Sequence, residues 1–249
     1  MLVTAGGSGI GRTIAEGFAA SGAKVHVTDV AEAPLAATVD TVSGVTGTLG
    51  DASSIKDVDR VYADVSASLG GLDVLVNNAG IAGPTGVVDT LDMPEVDRTI
   101  DVNLKSQFYF LNRFVPFLKA SESSPSIIAM SSVAGRLGYG QRTPYAATKW
   151  AIVGLVKSLA VELGPLGIRA NAILPGVVRG ERMDRVIAAR AAALNVAFED
   201  MREDYLRKIS LRRMVDATDV ANLSLFLASS LARNISGQAI SVDGNVEYL

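Results

Sequence analysis

The fold is decided by the stretch at residues 4–11, which reads TAGGSGIG and links a short apolar run to an amphipathic helical pattern. Glycines let a backbone turn tightly and approach a diphosphate, whose charge is met by amide N–H groups and the positive end of a helix dipole. Glycines also serve purely steric turns. Because this stretch lies between a first strand and a first helix, where a dinucleotide-binding turn is found, it predicts such a site.

Outside this turn, short β-branched runs alternate with longer helical patterns, which predicts a parallel sheet with right-handed crossovers. The sequence shows no interdomain linker and no internal repeat. We therefore predict one α/β domain over residues 1–249, a doubly wound parallel sheet of about seven strands with helices on both faces. The predicted strands are residues 1–4, 24–28, 45–49, 73–76, 126–130, 168–174 and 239–242, and the main predicted helices are residues 10–21, 53–69, 98–118, 144–163 and 218–228.

Composition excludes several kinds of site. The 249 residues include no cysteine and one histidine, so disulfides, Cys/His zinc sites and cysteine nucleophiles are excluded, and we expect no metal. A Ser-His-Asp triad would have to use His26, which lies within the second predicted strand and is expected to be structural. The net charge of −3 is spread along the chain, which argues against nucleic-acid and polybasic membrane surfaces. Because there is no signal-peptide pattern and no apolar run of roughly 18 residues, we expect a cytoplasmic protein.

Two helical stretches, residues 98–118 and 151–163, are apolar on nearly all sides. A helix against one face of a sheet needs a single apolar stripe, so a second apolar side needs a second partner. This pattern predicts a homo-oligomer, a homotetramer built as a dimer of dimers through these helices. Cover by other parts of the same chain is the alternative. Trp150 is expected in the core or at an interface.

Asp29 follows the second predicted strand, 20 residues after Gly9. An acidic side chain at about this distance accepts hydrogen bonds from the adenosine ribose and repels a 2′-phosphate. Neither Ser8 in the turn nor Val30 supplies the cation that NADP would need, so NAD is favoured as the cofactor. The alternative for Asp29 is a simple turn or N-cap residue.

Tyr145 and Lys149 lie four residues apart at the start of a predicted helix. Residues at this spacing share one helix face, so the ammonium can favour the ionised phenol. An unperturbed tyrosine titrates near pH 10 and needs such help to exchange protons at physiological pH. The pair alone is common by chance, and its combination with the glycine-rich turn makes it specific.

The combination resembles the short-chain dehydrogenase/reductase family in its single-domain form, over nearly the whole chain. The resemblance implies a Rossmann-type fold and an NAD-dependent oxidoreductase that interconverts a secondary alcohol and a ketone by hydride transfer. The motifs that carry it are TAGGSGIG at 4–11, Asp51-Ala52, NNAG at 77–80, Asn103, Ser131-Ser132, YAATK at 145–149, Pro175-Gly176 and GQAISVDG at 237–244.

The resemblance also implies roles for individual residues. Tyr145 would be the general acid/base, and Lys149 would lower its pKa and bond the nicotinamide ribose. Ser132, 13 residues before Tyr145, would hold the substrate oxygen, and Asn103 would help to hold a water that links the lysine to solvent. Asn77 is expected to brace the strand ends. The implied cofactor-binding residues are Gly7, Ser8, Gly9, Ile10, Gly11, Asp29, Asp51, Ala52, Asn78, Ala79, Gly80, Tyr145, Lys149, Pro175, Gly176 and Val178.

The chain departs from the family pattern at two positions near the expected cofactor. Ala5 replaces the first glycine of the turn, which is tolerable if the backbone there needs no positive φ. After Pro175-Gly176, where many relatives carry a threonine that binds the carboxamide, this chain has Val177 and Val178. That contact is therefore expected from backbone groups.

Residues 177–214 hold eight arginines and Lys208 against six acids, and the resemblance implies that this segment is the substrate-binding lid. A solvated, charge-balanced face is the alternative. Because a guanidinium matches a carboxylate or phosphate, we hypothesise that Arg136, Arg142 or Arg179 binds an anionic substrate group. The candidate substrate contacts are Ser132, Tyr139, Arg142 and Arg179, with Gln141 in the same loop.

Other functions compete with this prediction. A non-catalytic dinucleotide-binding or regulatory protein would be expected to lose the catalytic side chains, which are all present here. An NADP-dependent ketoreductase of the 3-oxoacyl type stays open. Related epimerases need an added domain, and enoyl reductases usually space tyrosine and lysine further apart. The sequence does not distinguish a sugar, a polyol, a hydroxy acid or an acyl thioester as substrate.

Overall fold

The computed structural model describes residues 1–248 and is built around a seven-stranded parallel sheet. The predicted doubly wound architecture is confirmed, and each strand begins and ends within one residue of its predicted range. The order across the sheet is β3-β2-β1-β4-β5-β6-β7. The strands are β1 (Leu2–Thr4), β2 (Val25–Asp29), β3 (Val45–Leu49), β4 (Val74–Asn77), β5 (Ser126–Met130), β6 (Arg169–Pro175) and β7 (Ala239–Val242).

Helices cover both faces of this sheet. On one face Ile14, Phe18 and Val220 are buried against the strands, and on the other face Phe110 and Ile152 are buried in a second apolar cluster. The central strands are buried on both sides, as a parallel sheet between two helical layers requires. The α-helices are α1 (Gly9–Ala20), α2 (Glu32–Thr41), α3 (Ile55–Leu69), α4 (Met93–Ile100), α5 (Ser106–Lys119), α6 (Thr143–Leu163), α7 (Glu181–Leu194), α8 (Phe198–Arg207) and α9 (Ala217–Ala228).

The order of the strands reverses between β1 and β4, which are parallel neighbours. In open α/β sheets, ligands bind outside the carboxyl ends of the strands at such a switch point. The glycine-rich turn follows β1, and NNAG begins at the last residue of β4. Ser131 follows β5 and Gly176 follows β6. The fold therefore brings the sequence motifs to one edge of the sheet.

The predicted single helix over residues 98–118 is wrong in detail. It consists of the end of α4, a π-helical turn over Asp101–Lys105, and α5. A π turn inserts one extra residue per turn and frequently marks a functional site. Asn103 lies within this turn and is fully buried. A helical hydrophobic period does not reveal such a local widening.

The segment between β6 and α9 contains α7 and α8, which both lie within residues 177–214, the predicted substrate-binding lid; we call this segment the lid. Its apolar side chains Ile187, Met201 and Tyr205 are buried together with Val133 and Val177. The last two residues lie just beyond the carboxyl ends of β5 and β6. The lid is thus folded against the edge of the sheet that carries the motifs.

Apolar side chains remain exposed on α5 and α6. Phe108 is 51% exposed, Trp150 50% and Val161 79%, so Trp150 is not a core residue. His26 is buried in β2, where its ring nitrogens bond the hydroxyls of Thr46 and Thr48. Of the helices within residues 1–248, none combines the length and apolar character needed to cross a membrane.

Candidate active site

The glycine-rich turn is held too tightly for side chains at several positions. A Cβ on Gly6 would lie 2.7 Å from the Val27 side chain, and one on Gly7 would lie 2.9 Å from the backbone nitrogen of Leu35. A Cβ on Gly11 would collide with the carbonyl oxygen of Ala5. These glycines bring the backbone of the turn against β2 and α2 and against the start of α1, which is the close approach that a diphosphate site requires.

Ala5 adopts φ +52°, in the left-handed region. Alanine was expected to be tolerable here only if the backbone needed no positive φ. The backbone does take a positive φ, so this condition is not met. The reason is tertiary: the carbonyl of Ala5 is directed at Gly11 and accepts a hydrogen bond of 3.2 Å from Asn78 Nδ2. Alanine in this region costs roughly 1 kcal/mol or more relative to glycine.

The first turn of α1 is open to an anion. Ser8 is its N-cap residue, and the Ser8 side chain accepts no hydrogen bond from the helix. The amide N–H groups at the start of a helix lack intrahelical acceptors and carry the positive end of its dipole. This part of the site therefore fits the diphosphate of a dinucleotide, with Gly9, Ile10 and Gly11 as the first residues of the helix.

Thr4 and Asn78 join the turn to the end of β4. Thr4 Oγ1 accepts hydrogen bonds from the backbone N–H groups of Asn78 and Ala79, at 2.9 and 2.8 Å. Asn78 Nδ2 donates to the Thr4 carbonyl at 2.9 Å. The Asn77 side chain makes only a long contact, 3.5 Å from Nδ2 to the Gln107 carbonyl. The side chain that joins the turn to the end of β4 is thus that of Asn78, and the bracing of the strand ends by Asn77 stays a prediction.

Asp29 ends β2 and lies against the turn. Its Oδ2 accepts a hydrogen bond from the Gly7 N–H at 2.9 Å, and its Oδ1 accepts one from the Ala31 N–H at 3.0 Å. The N-cap residue of α2 is Ala31 rather than Asp29. Each carboxylate oxygen can accept a further hydrogen bond. This acceptor-only group fits two ribose hydroxyls and opposes an additional phosphate.

Asp51 and Ala52 follow β3 on the adenine side of the predicted site. Asp51 forms an ion pair with Arg98, with 2.8 Å between Oδ2 and Nη2, and its Oδ1 accepts hydrogen bonds from Ser53. Burial acts to raise the pKa of Asp51, but the Ser53 and Arg98 contacts outweigh it and hold the pKa below its usual value. Asp51 is therefore a fixed anion beside Ala52.

The backbone at Gly80 lies close to the side chains of Asn103 and Lys149. A Cβ on Gly80 would lie 3.3 Å from both Asn103 Oδ1 and Lys149 Nζ. Asn103 Oδ1 accepts a hydrogen bond from the Ile81 N–H at 2.7 Å, and its Nδ2 donates to Thr148 Oγ1 at 3.2 Å. The π turn thus carries Asn103 to the helix that holds Lys149.

Tyr145 lies in the first turn of α6, with Lys149 one turn later. Lys149 Nζ is 5.6 Å from the centroid of the Tyr145 ring and donates to the Met130 carbonyl at 2.8 Å. Ser132 lies beyond β5 as the N-cap of a short 3₁₀ turn, and its Oγ accepts a hydrogen bond from the Ala134 N–H. The structure therefore brings together Ser132, Tyr145, Lys149 and Asn103.

Electrostatics makes the phenol of Tyr145 more acidic. Burial acts to raise its pKa, but the positive charges of Lys149 and Arg182, with smaller effects from Ser132 and Arg142, lower it below 10. Burial lowers the pKa of Lys149 to about 8, although the neighbouring Tyr145 opposes this shift. Both pKa values are thus lowered towards neutral pH, which suits proton exchange.

Pro175, Gly176 and Val178 complete the edge beside β6. A Cβ on Gly176 would lie 2.7 Å from the Asp243 backbone, so this position needs glycine. Val178 pairs with Val215 as an isolated parallel bridge. The chain leaves the sheet here to enter the lid, and Gly180 has φ +139° immediately before α7.

Two of the three arginines proposed for an anionic substrate have protein partners. Arg136 pairs with Asp243 at 2.9 Å and bonds Ser241 Oγ at 3.2 Å, which holds the C-terminal segment. Arg179 is exposed and pairs with Asp216 at 3.0 Å, at the N-cap of α9. Arg142 instead lies beside Tyr145, with its guanidinium carbon 5.1 Å from the Tyr145 ring centroid.

The sequence analysis did not single out Arg182, Arg190 or Tyr205. Arg182 Nη1 donates to the Gly80 carbonyl at 3.1 Å, across the cofactor side of the site. Arg190 lies over the rings of Tyr139 and Tyr205, whose hydroxyls are 2.5 Å apart. The excess of arginine in the lid was the available signal, but the sequence does not show which arginines have carboxylate partners.

Known proteins match the chain along almost its full length. A family model described as enoyl-(acyl carrier protein) reductase matches residues 4–246. The chain is 34% identical to a probable galactose dehydrogenase of Rhizobium meliloti, covering 99% of this chain and 94% of the relative. It is 35% identical to a 3-oxoacyl-(acyl-carrier-protein) reductase of Staphylococcus aureus, covering 98% and 96%. The crystal structure of a 3-ketoacyl-(acyl-carrier-protein) reductase from Brucella melitensis, complexed with NADH, aligns with a TM-score of 0.87 and 28% identity, covering 98% and 96%.

The fold and the site together define a Rossmann-type oxidoreductase with a tyrosine–lysine pair at the switch point of the sheet. The chain belongs to the short-chain dehydrogenase/reductase family.

Proposed function

We propose that this protein is an NAD-dependent dehydrogenase that interconverts a secondary alcohol and a ketone, with Tyr145 as the general acid/base. The observation that carries this proposal is the Tyr145–Lys149 pair: two titratable groups one turn apart, 5.6 Å from ring centroid to Nζ, at the edge where the motifs meet. The pKa of the phenol is below its ordinary value despite burial.

NAD is supported as the cofactor by the residues around Asp29. The tight glycine turn, the open first turn of α1 and the acceptor-only carboxylate fit a diphosphate and an unphosphorylated adenosine ribose. Lys149 and Asn103 would hold the nicotinamide half, with Gly80 giving it room. When bound, NAD would accept or supply the hydride. The protein's own groups handle the proton and the orientation of the substrate.

In the oxidation direction, the ionised Tyr145 oxygen would accept the proton of the substrate hydroxyl, and in reduction the phenol would donate it. Ser132 would hold the same substrate oxygen by a hydrogen bond. The ammonium of Lys149 stabilises the tyrosinate through its charge. Since a buried tyrosinate without a nearby cation is unfavourable, Lys149 is what allows Tyr145 to cycle between its two protonation states.

A second candidate is an NADP-dependent ketoreductase of the 3-oxoacyl type. It is favoured by the 35% identity to the 3-oxoacyl-(acyl-carrier-protein) reductase of Staphylococcus aureus. The same Tyr145 chemistry would serve this reaction. The two candidates differ in the cofactor and in the substrate chain, so one assay separates them.

The testing experiment measures NADH or NADPH formation over a panel of secondary alcohols: sugars, polyols and hydroxy acids. Acetoacetyl thioesters serve as substrates in the reverse direction. We expect turnover of a secondary alcohol with a higher kcat/KM for NAD than for NADP. A higher kcat/KM for NADPH with acetoacetyl thioesters would favour the second candidate. Dinucleotide binding without turnover of any panel member would leave a non-catalytic binding protein.

We also infer a homotetramer, a dimer of dimers joined through α5 and α6. The support is the exposed apolar surface of these helices, including Phe108 and Val161. Light scattering at micromolar protein should give the mass of more than one chain. Phe108→Asp should lower that mass, and a monomeric wild type would contradict this inference.

A further inference from the structure

Three arginine side chains converge on the substrate side of the catalytic tyrosine. Arg142 lies in the loop before α6, and Arg182 and Arg190 lie on α7 of the lid. We call them the arginine cluster. Arg142 lies over the Tyr145 ring, and Arg190 lies over the Tyr139 ring. The charge of Arg182 acts on Tyr145.

Arg142 is the interior member of the cluster. It is only 3% exposed, and its guanidinium carbon lies 5.3 Å from the Tyr139 ring centroid and 5.1 Å from that of Tyr145. Its Nη2 donates to the Ala82 carbonyl at 2.7 Å, but its buried Nε has no hydrogen-bond partner. A buried N–H without an acceptor is unfavourable and points to an unfilled binding role.

Arg182 reaches from the first turns of α7 to the Gly80 carbonyl. Its charge lowers the pKa values of both Tyr145 and Lys149, although burial and the Tyr145–Lys149 interaction contribute more. Arg182 therefore acts on the reacting groups from the lid, at the point where α7 meets the Gly80 carbonyl.

Arg190 lies two turns further along α7, with its guanidinium carbon 5.2 Å from the Tyr139 ring centroid. Its Nε and Nη1 are buried and have no hydrogen-bond partner. Arg142 and Arg190 thus contact the same aromatic ring, and both carry unused donors. Both guanidinium groups are positively charged, so a negative group near this ring would be attracted by both.

The cluster has no carboxylate partner within residues 1–248, where none of the ion pairs includes Arg142, Arg182 or Arg190. Two arginines elsewhere on α7 and α8 do have carboxylate partners: Arg185 pairs with Glu181 and Arg202 with Glu199. The lid as a whole is nearly balanced in charge, as a solvated face would be. At the site, however, its arginines have no paired carboxylate.

We propose that the substrate carries an anionic group, a carboxylate or a phosphate, and that the arginine cluster binds it beside Tyr145. Guanidinium groups match the planar, paired oxygens of such anions. This inference rests on the proposed function, because it names the substrate class of the same site. It selects hydroxy acids and phosphorylated sugars or polyols over neutral alcohols.

The first experiment compares matched substrate pairs with the full chain and NAD. 3-Hydroxybutyrate is paired with its methyl ester, and sorbitol 6-phosphate with sorbitol, so that each pair differs in the anion. We expect kcat/KM for the anionic member to exceed that for the neutral member by about tenfold or more in one pair. That pair also identifies the anion as carboxylate or phosphate.

The variants are Arg142→Gln, Arg182→Gln and Arg190→Gln, with Arg185→Gln as the matched control on the same helix. We expect the anionic-to-neutral ratio of kcat/KM to fall by about 10- to 100-fold in Arg142→Gln and in at least one lid variant. Arg185→Gln should keep the wild-type ratio. Three variants keep the test valid if one of them fails to fold.

A binding measurement separates this inference from the proposed function. Calorimetry with the NADH-bound protein would give the Kd values of acetate and inorganic phosphate. We expect Arg142→Gln to weaken the tighter of the two by about tenfold or more relative to Arg185→Gln. If anion binding depends on Arg142 but no alcohol is oxidised, the proposed function fails and this inference stands. Turnover of neutral alcohols with anion binding unchanged in all three variants would overturn this inference alone.

Discussion

The ammonium nitrogen of Lys149 lies 5.6 Å from the centre of the Tyr145 ring, one turn along α6 and in the interior of the protein. The lysine is buried at 3% exposure and keeps its charge near a phenol whose pKa it lowers. This relationship is the basis for the first two predictions.

Removing only the phenolic oxygen should stop the reaction. Tyr145→Phe keeps the ring against Arg142 but removes the proton carrier, so kcat should fall by about 10²- to 10⁴-fold. NADH affinity, measured by fluorescence titration, should stay within about threefold of wild type. A kcat like that of the wild type would show that another group transfers the proton.

The pH profile of alcohol oxidation should follow the ionisation of Tyr145. Because the tyrosinate accepts the proton, kcat/KM should be lost as pH falls through the pKa of the phenol, which lies below 10. Lys149→Met should shift this midpoint upward, since the opposing charge is gone, and lower kcat by about 10²-fold. The matched control is Lys157→Met, an exposed lysine on the same helix, which should keep the wild-type midpoint. An unchanged midpoint in Lys149→Met would rule out this electrostatic role.

Asp29 should set the choice of cofactor. Asp29→Asn keeps one side-chain oxygen that can accept a hydrogen bond from Gly7 N–H or Ala31 N–H, and it removes the negative charge that opposes a 2′-phosphate. The ratio of kcat/KM for NADP to that for NAD should rise by about tenfold or more. Steady-state kinetics with both cofactors measures this ratio. The matched variant Asp51→Asn, at the other acidic residue near the predicted adenine side, should change the ratio less.

Ala5→Gly should stabilise the protein. The native φ of +52° is unfavourable for alanine, so glycine relieves backbone strain in the folded state. Glycine also raises the entropy of the unfolded chain, but this cost is smaller, and the free energy of unfolding should rise by about 0.5–1 kcal/mol. In a domain of this size we expect Tm to rise by about 1–4 °C. The same change at exposed Ala36, inside α2, should instead destabilise by about 0.5–1 kcal/mol. Equal signs for the two variants in urea or thermal unfolding would contradict the strain at Ala5.

His26 should weaken the fold in mild acid. Burial lowers its pKa from 6.5 to about 4, so the unfolded chain binds the proton more tightly than the native one. The loss of folding stability due to His26 is nearly absent above pH 6.5 and grows as pH falls towards 4. It reaches about 2 kcal/mol near pH 5. Urea unfolding at pH 7 and pH 5 measures the loss, and in His26→Gln the difference between these pH values should be smaller by about this amount. An equal difference in both proteins would assign the acid sensitivity to other groups.

The strands and the motif edge could be predicted because they depend on local patterns. Runs of β-branched residues mark each strand to within one residue, and the spacing of Tyr145 and Lys149 already places them on one helix face. Other features depend on tertiary contacts. The positive φ of Ala5 follows from how its carbonyl meets Gly11 and Asn78.

The π turn at Asn103 could not be predicted from the sequence either, because a hydrophobic period does not show one extra residue in a turn. The same applies to the arginines. Arg136 and Arg179 look as available as Arg142 along the chain, and only the folded structure shows that Asp243 and Asp216 neutralise the first two.

The lid buries its apolar side chains mostly against one another and against two valines at the margin of the sheet. Mutations in α7 and α8 can therefore accumulate without disturbing the strands or the nucleotide turn. Such separation makes the scaffold evolvable: α7 and α8 can diversify in sequence while the sheet and its nucleotide turn are inherited intact.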